Sequence, residues 1–144
     1  MMVVAGVALW ASLFLPWSHQ LSAGLRAQYG STGALQGVPS SPTAWQVYSA
    51  VDVLLALLGA ALLLGALRGG RPARLALLAA LAIAAAFTVH ALSVPPTNGV
   101  TLFDPSLSPP GYVRNPTGAG RGETLALVAL ALGLGGVALS FTAD

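Results

Sequence analysis

Cysteine is absent from the 144 residues, and so is lysine; six arginines and four acids carry all of the formal charge. Without thiols the chain can form no disulfide, no thiolate metal site and no redox-active pair. Two histidines, His19 and His90, and a few scattered acids are too sparse a donor set for a metal, so neither metal nor cofactor is expected. The net charge of +2 comes from isolated arginines, whereas nucleic-acid binding needs clustered cations that neutralise several phosphates. An ordinary soluble domain carries about a quarter charged residues; this chain carries 7%. Ionic groups this few cannot cover a soluble surface. The missing lysines, set against abundant Ala, Gly, Leu and Arg, fit a GC-rich bacterial coding sequence.

What is present is apolar: 56% of residues are hydrophobic and the mean hydropathy is +0.79. A bilayer core about 30 Å thick takes roughly 20 apolar residues per helix. Four runs approach that length: residues 1–17 (MMVVAGVALWASLFLPW), 46–67, 75–94 and 124–142. Leu and Ala nearly alternate in the last, but a run that long favours a helix over a strand. The first run has no basic residue ahead of it and no small-x-small site after Trp17, which reads as a retained helix rather than a cleaved secretory signal. Pro16 should end it, leaving Trp17 and His19 at the surface.

Residues 18–45 and 95–123 form two long connections rich in Gly, Pro, Ser and Thr. Helices two and three are joined only by residues 68–74, RGGRPAR. This pattern predicts an all-α, four-helix transmembrane bundle of up-down topology, one integral membrane domain with both long loops on one side and both termini on the other. Arg68, Arg71 and Arg74 crowd the short link, whereas Arg26, Arg114 and Arg121 are spread over far more chain. The density places the link and the N- and C-termini in the cytoplasm and the long loops outside a bacterial cell membrane. Trp17, Trp45 and Tyr48 then read as an aromatic belt at the outer interface.

Asp52 opens the second apolar run, sixteen residues before Arg68, and His90 lies sixteen residues after Arg74. At 1.5 Å per residue both sit about 24 Å from the cytoplasmic arginines. Equal depth on neighbouring helices makes Asp52 and His90 a candidate intramembrane pair, facing the interior and hydrogen-bonded. Plainer roles compete. Asp52 can cap its helix, and His90 can reach the outer headgroups. Glu123 opens helix four beside Arg121 and reads as a first-turn acid at the positive helix end. Ser49 and Ser93 lie three residues from one or other member of the pair, but a hydroxyl there more often bonds its own helix than acts as a nucleophile. No catalytic residue is assigned, and enzyme activity is not expected. GAGRGE at 118–123 lacks the strand and the Lys-Ser/Thr of a phosphate loop. Ala56/Ala60, Ala61/Gly65, Ala129/Gly133 and Gly136/Ser140 are small-xxx-small pairs that permit close helix approach.

SLFLPW at 12–17, AWQVYSAVDVLLALL at 44–58 and the closing LALVALALGLGGVALS carry a resemblance. They are similar to small four-helix integral membrane proteins of Actinobacteria and their relatives, with an LFLPW end to helix one and a W-x-x-Y-S-x-x-D start to helix two. Trp17, Trp45, Tyr48, Ser49 and Asp52 carry the match. It implies topology, and a recurrent helix-two opening, without implying an activity. The function expected is that of a non-enzymatic structural or accessory membrane subunit, in contact with the lipid bilayer and with a membrane-protein partner or a second copy of itself. The alternative is a proton-linked transporter or channel component using Asp52 and His90. Against the alternative, the inner half of helices two to four offers almost no polar residue apart from Ser140.

Overall fold

The computed structural model describes residues 1–21, 23–32, 39–48, 50–68, 70–94 and 118–142. Among them the chain is all-α and mostly helical, with six helices and one short two-stranded ladder. The order is α1 (Met2–Phe14), β1 (Ser18–His19), α2 (Ala23–Tyr29), α3 (Ala44–Val47), α4 (Val51–Arg68), α5 (Arg71–Ser93), β2 (Gly118–Ala119) and α6 (Arg121–Ser140). Two helices, α5 and α6, are long and apolar enough to cross a membrane, while Met2–Phe14 and Val51–Gly65 are shorter apolar helices.

Local chemistry sets several boundaries. α5 starts earlier than the apolar run because Gly70 takes the N-cap and Pro72 falls in the first turn, where its missing N–H costs nothing. The expected second helix, 46–67, is instead two pieces. α3 begins at Thr43, whose N–H donates to Gln46 Oε1 at 3.1 Å, and the chain then becomes extended at Tyr48 (φ −112°, ψ 145°). Hydroxyls inside the helices bond their own carbonyls: Ser12 to Leu9, Thr88 to Ala84 and Ser140 to Val137, at 2.6–2.8 Å. An apolar surrounding requires such self-satisfaction.

Around the bundle the long helices run α4, α1, α6, α5; α1 packs against both α4 and α6, α6 also packs on α5, and α4 touches α5 far less. Glycine explains that order. A Cβ on Gly6 would lie 2.8 Å from the Gly59 carbonyl oxygen, and one on Gly59 would lie 2.4 Å from the Trp10 ring. Backbones this close exclude any side chain. Trp10 Nε1 donates across the same crossing to the Ala56 carbonyl at 2.8 Å. The core is filled by Leu9 and Leu13 of α1, Leu62 of α4, Leu81 of α5 and Leu130 of α6.

The start of α1, the end of α6 and the α4 and α5 ends nearest their link meet at one end, the hairpin end. There Met1 and Met2 pack on Gly135 and Gly136. Arg74 Nη1 donates to the Ser140 carbonyl at 2.6 Å, and its guanidinium lies 5.8 Å from the Phe141 ring centroid. A cation suits the last turn of α6, where carbonyls lack intrahelical donors. Arg71 is exposed, and the Arg68 side chain lies outside the described residues.

At the opposite end residues 16–20 run between two other segments. On one side Pro16 bridges Thr43, Trp17 N–H donates to the Pro42 carbonyl at 2.9 Å, and Gln20 N–H to that of Ser40 at 3.2 Å. On the other, β1 pairs antiparallel with β2, Ser18 opposite Ala119 and His19 opposite Gly118. This clasp joins the beginning of the first long connection to the end of the second, so the two leave the same end of the bundle. The turn-forming composition of these connections gave no sign of the pairing. The apolar character of Trp17 and the glycines at 120 and 122 let the segments come together.

Candidate functional site beneath the clasp

The side chains under the clasp follow from where α1 stops. Leu15 and Pro16 leave the helix in extended conformation, which turns Trp17 inward instead of outward. Trp17 is 0% exposed. Its indole N–H donates to the Ser12 carbonyl at 2.8 Å, and its ring meets Tyr48 edge-on at 5.7 Å. Tyr48 in turn meets Phe87 of α5 at 5.3 Å. The expected belt is therefore corrected. Trp17 is core and Tyr48 is half-buried, whereas Trp45 is exposed, 6.2 Å from Phe14. The extended break before α4 places Tyr48 in this column, where a continuous helix would have carried it elsewhere.

α6 enters against the same residues. Gly120 N–H donates to the Trp17 carbonyl at 3.0 Å and Gly122 N–H to that of Pro16 at 2.8 Å. A Cβ on Gly120 would fall 2.1 Å from the Pro16 oxygen, and one on Gly122 would fall 2.5 Å from the Trp17 ring. This approach carries Glu123 beneath the clasp. The residue is 0% exposed, and neither carboxyl oxygen has a hydrogen-bond partner. Ser18 Oγ is buried and without a partner as well. The expected first-turn role is thus only half met: Glu123 is in the first turn of α6, but Arg121 is exposed and the Gly120 N–H is already given to Trp17. Burial first, and the Glu123 carboxylate second, push the Tyr48 phenol up to about 12.

The Asp52–His90 pair does not form. Asp52 is buried in the first turn of α4, where Oδ1 accepts the Val53 N–H at 2.8 Å. His90 is exposed in the last turn of α5. Matched depth did not bring them together because α1 and α6 occupy the contacts that α4 and α5 were expected to share. Ser93 is exposed and donates to its own helix at Val89, 3.1 Å away, and Ser49 lies outside the described residues. Asp52→Ala is expected to lower stability in detergent by about 1 kcal/mol, the usual value of a helix-start acceptor. His90→Ala should stay within about 0.5 kcal/mol of wild type. Equal losses measured by thermal unfolding, with a double variant no worse than either single one, would restore the pair.

Sequence reasoning missed Ser12, Ser18 and the burial of Trp17. The signal available was GAGRGE itself, read only as a failed phosphate loop: alternate glycines ahead of a helix also mark close backbone approach. Among the described residues no group of three or more His, Cys, Asp or Glu side chains could hold a metal. No protein family, no curated protein and no solved structure matches the chain.

Proposed function

We propose that the protein is a multi-pass membrane protein in which α1, α4, α5 and α6 form a four-helix transmembrane bundle. It serves as a structural or accessory subunit that presents its clasp end to a membrane partner or to a second copy. The observation that carries this reading is the outer surface of the helices. Val4, Val7 and Phe14 on α1, Leu54, Leu57 and Leu64 on α4, Leu75 and Ile83 on α5, and Val128 and Leu139 on α6 are all exposed. Apolar exposure on every long helix far exceeds the patches that a water-soluble monomer tolerates, and lipid is the solvent that suits it. The length of α5 and α6 agrees with a hydrocarbon crossing, with the apolar run of α6 beginning at Thr124. The resemblance of the LFLPW and W-x-x-Y-S-x-x-D segments to small actinobacterial membrane proteins supports the same topology.

Arginine density sets the hairpin end and both termini in the cytoplasm, and the clasp outside. A conduction path finds little support: among the described residues the buried polar side chains Ser12, Ser18, Asp52, Thr88 and Glu123 all belong to the clasp half, while the core towards the hairpin end is Leu, Ala and Val. Loops tied together on a rigid helical scaffold are where binding is commonly carried.

Because the chain has no cysteine, single introduced thiols map its topology without background. Ala27→Cys in α2 should react with an impermeant maleimide in intact cells, and Ala73→Cys at the start of α5 only after permeabilisation. The reverse labelling overturns the orientation, and release of the chain by alkaline carbonate overturns membrane residence. For the accessory role, light scattering of the gently solubilised protein should give a stoichiometric complex or a defined oligomer. A bare monomer, together with solute flux in liposomes abolished by Asp52→Asn, would replace it with a transporter.

A further inference from the structure

We propose that Glu123 is a proton-binding site that holds the clasp shut: the closed arrangement of residues 16–20 over α6 accommodates this side chain as a neutral carboxyl, and its ionisation releases the clasp. Three observations carry the proposal. Glu123 is wholly enclosed and neither oxygen has a hydrogen-bond partner, so an ionised form would lose its water for no more than the nearby Gly120 N–H, which is already given to the Trp17 carbonyl. Glu123 follows directly on the Gly120–Trp17 and Gly122–Pro16 hydrogen bonds that tie the start of α6 to the clasp. Ser18 Oγ, also enclosed and unpartnered, belongs to the strand that would move.

The surrounding charges do not substitute for a proton. α1 and β2 bring no titratable side chain to this end. From the α3 end comes Tyr48, itself held neutral, and α4 contributes only another acid, Asp52. His19 of β1 is exposed and bonded to Ser41 at 2.9 Å, while His90 of α5 and Arg121 of α6 are exposed. Among the described residues none of these cations donates to Glu123, and a proton is a counter-charge that fits without space or ligands of its own. The positive end of α6 and the Gly120 N–H near its start favour the ionised form, but burial of a carboxylate that completes no hydrogen bond outweighs both.

The sign follows. The closed state holds a proton that the unfolded or open chain gives up above the ordinary glutamate range, about 4.3. Stability of the closed state is therefore full below that range and falls as pH rises, by up to tenfold in the equilibrium constant per pH unit for one proton.

The test uses the full cysteine-free chain in lipid nanodiscs. Ser18→Cys, buried under the clasp, is labelled with maleimide from pH 5.5 to 8.5, and each rate is divided by that of the exposed Ala119→Cys to remove thiol chemistry. The ratio should rise at least tenfold with pH in the Glu123 background and stay flat and low with Glu123→Gln, which keeps the shape and cannot ionise. A flat ratio with Glu123 present, or an equal rise with Glu123→Gln, overturns the proposal. Should Glu123→Gln fail to fold, His19→Cys/Gly118→Cys gives a second arm. A Cβ on Gly118 lies 3.9 Å from the His19 Cβ, within disulfide range. Infrared spectra of this variant should show a protonated-carboxyl band that persists to higher pH in the oxidised, locked form than in the reduced form. Identical titration in both forms overturns the coupling.

Discussion

Trp17→Ala is expected to lower unfolding free energy in detergent by about 3–5 kcal/mol, the usual cost of removing a large buried aromatic side chain. The effect is large because one side chain serves three neighbours. The indole N–H satisfies the Ser12 carbonyl, the ring packs on Tyr48, and its face lies where a side chain on Gly122 would have to go. Its burial also keeps the Trp17 backbone between Pro42 and Gly120. Trp17→Phe should recover most of the loss, leaving about 0.5–1.5 kcal/mol for the missing indole hydrogen bond, because the Ser12 carbonyl still accepts the Leu15 N–H at 3.3 Å. Trp45→Ala serves as the comparison: that ring is exposed, and its removal should change little. A loss below 1 kcal/mol for Trp17→Ala in chemical or thermal unfolding would mean that the clasp is not packed as described.

Gly6→Leu should have the second largest effect, about 3 kcal/mol, the upper part of the range for overpacking. Even one carbon at this position would sit 2.8 Å from a backbone oxygen of α4 and 3.0 Å from Leu63, and backbone cannot step aside as a side chain can. α1 and α4 would have to separate, breaking the Trp10–Ala56 hydrogen bond. In lipid this loss is not offset by a hydrophobic driving force between helices, since the acyl chains are as apolar as leucine. Gly135→Ala distinguishes packing from helix propensity. Its added carbon meets only the Met1 Cε at 3.5 Å, an ordinary contact, so the substitution should be neutral or stabilising by up to about 1 kcal/mol. If Gly6→Leu melts with wild type in detergent and in nanodiscs, the α1–α4 crossing is wrong.

The two errors of sequence reading share a physical cause. Depth along a helix follows from counting residues, because the rise per residue is fixed; rotation about the axis and choice of neighbour do not. Asp52 and His90 were placed level by such counting, yet one is buried and the other exposed. Which helices touch depends on which backbones can approach, and Gly6 against Gly59 gave α4 a closer partner than the helix to which it is tethered. Trp17 was assigned to an interface because amphipathic rings favour one. Its burial depends on Pro42 and Gly120, twenty-five and about a hundred residues away in the chain.

Composition and spacing were enough, by themselves, to specify a mostly helical, all-α chain with long apolar helical runs and a tight arginine-marked link, because helix length, turn chemistry and charge are local properties. Only the tertiary structure decided that α1 and α6 form the centre of the packing, that the two long connections are stitched by β1 and β2, and that Glu123 is sealed beneath them. Those outcomes rest on backbone approach distances and on hydrogen bonds between segments remote in sequence, and neither is encoded in any single stretch of the chain.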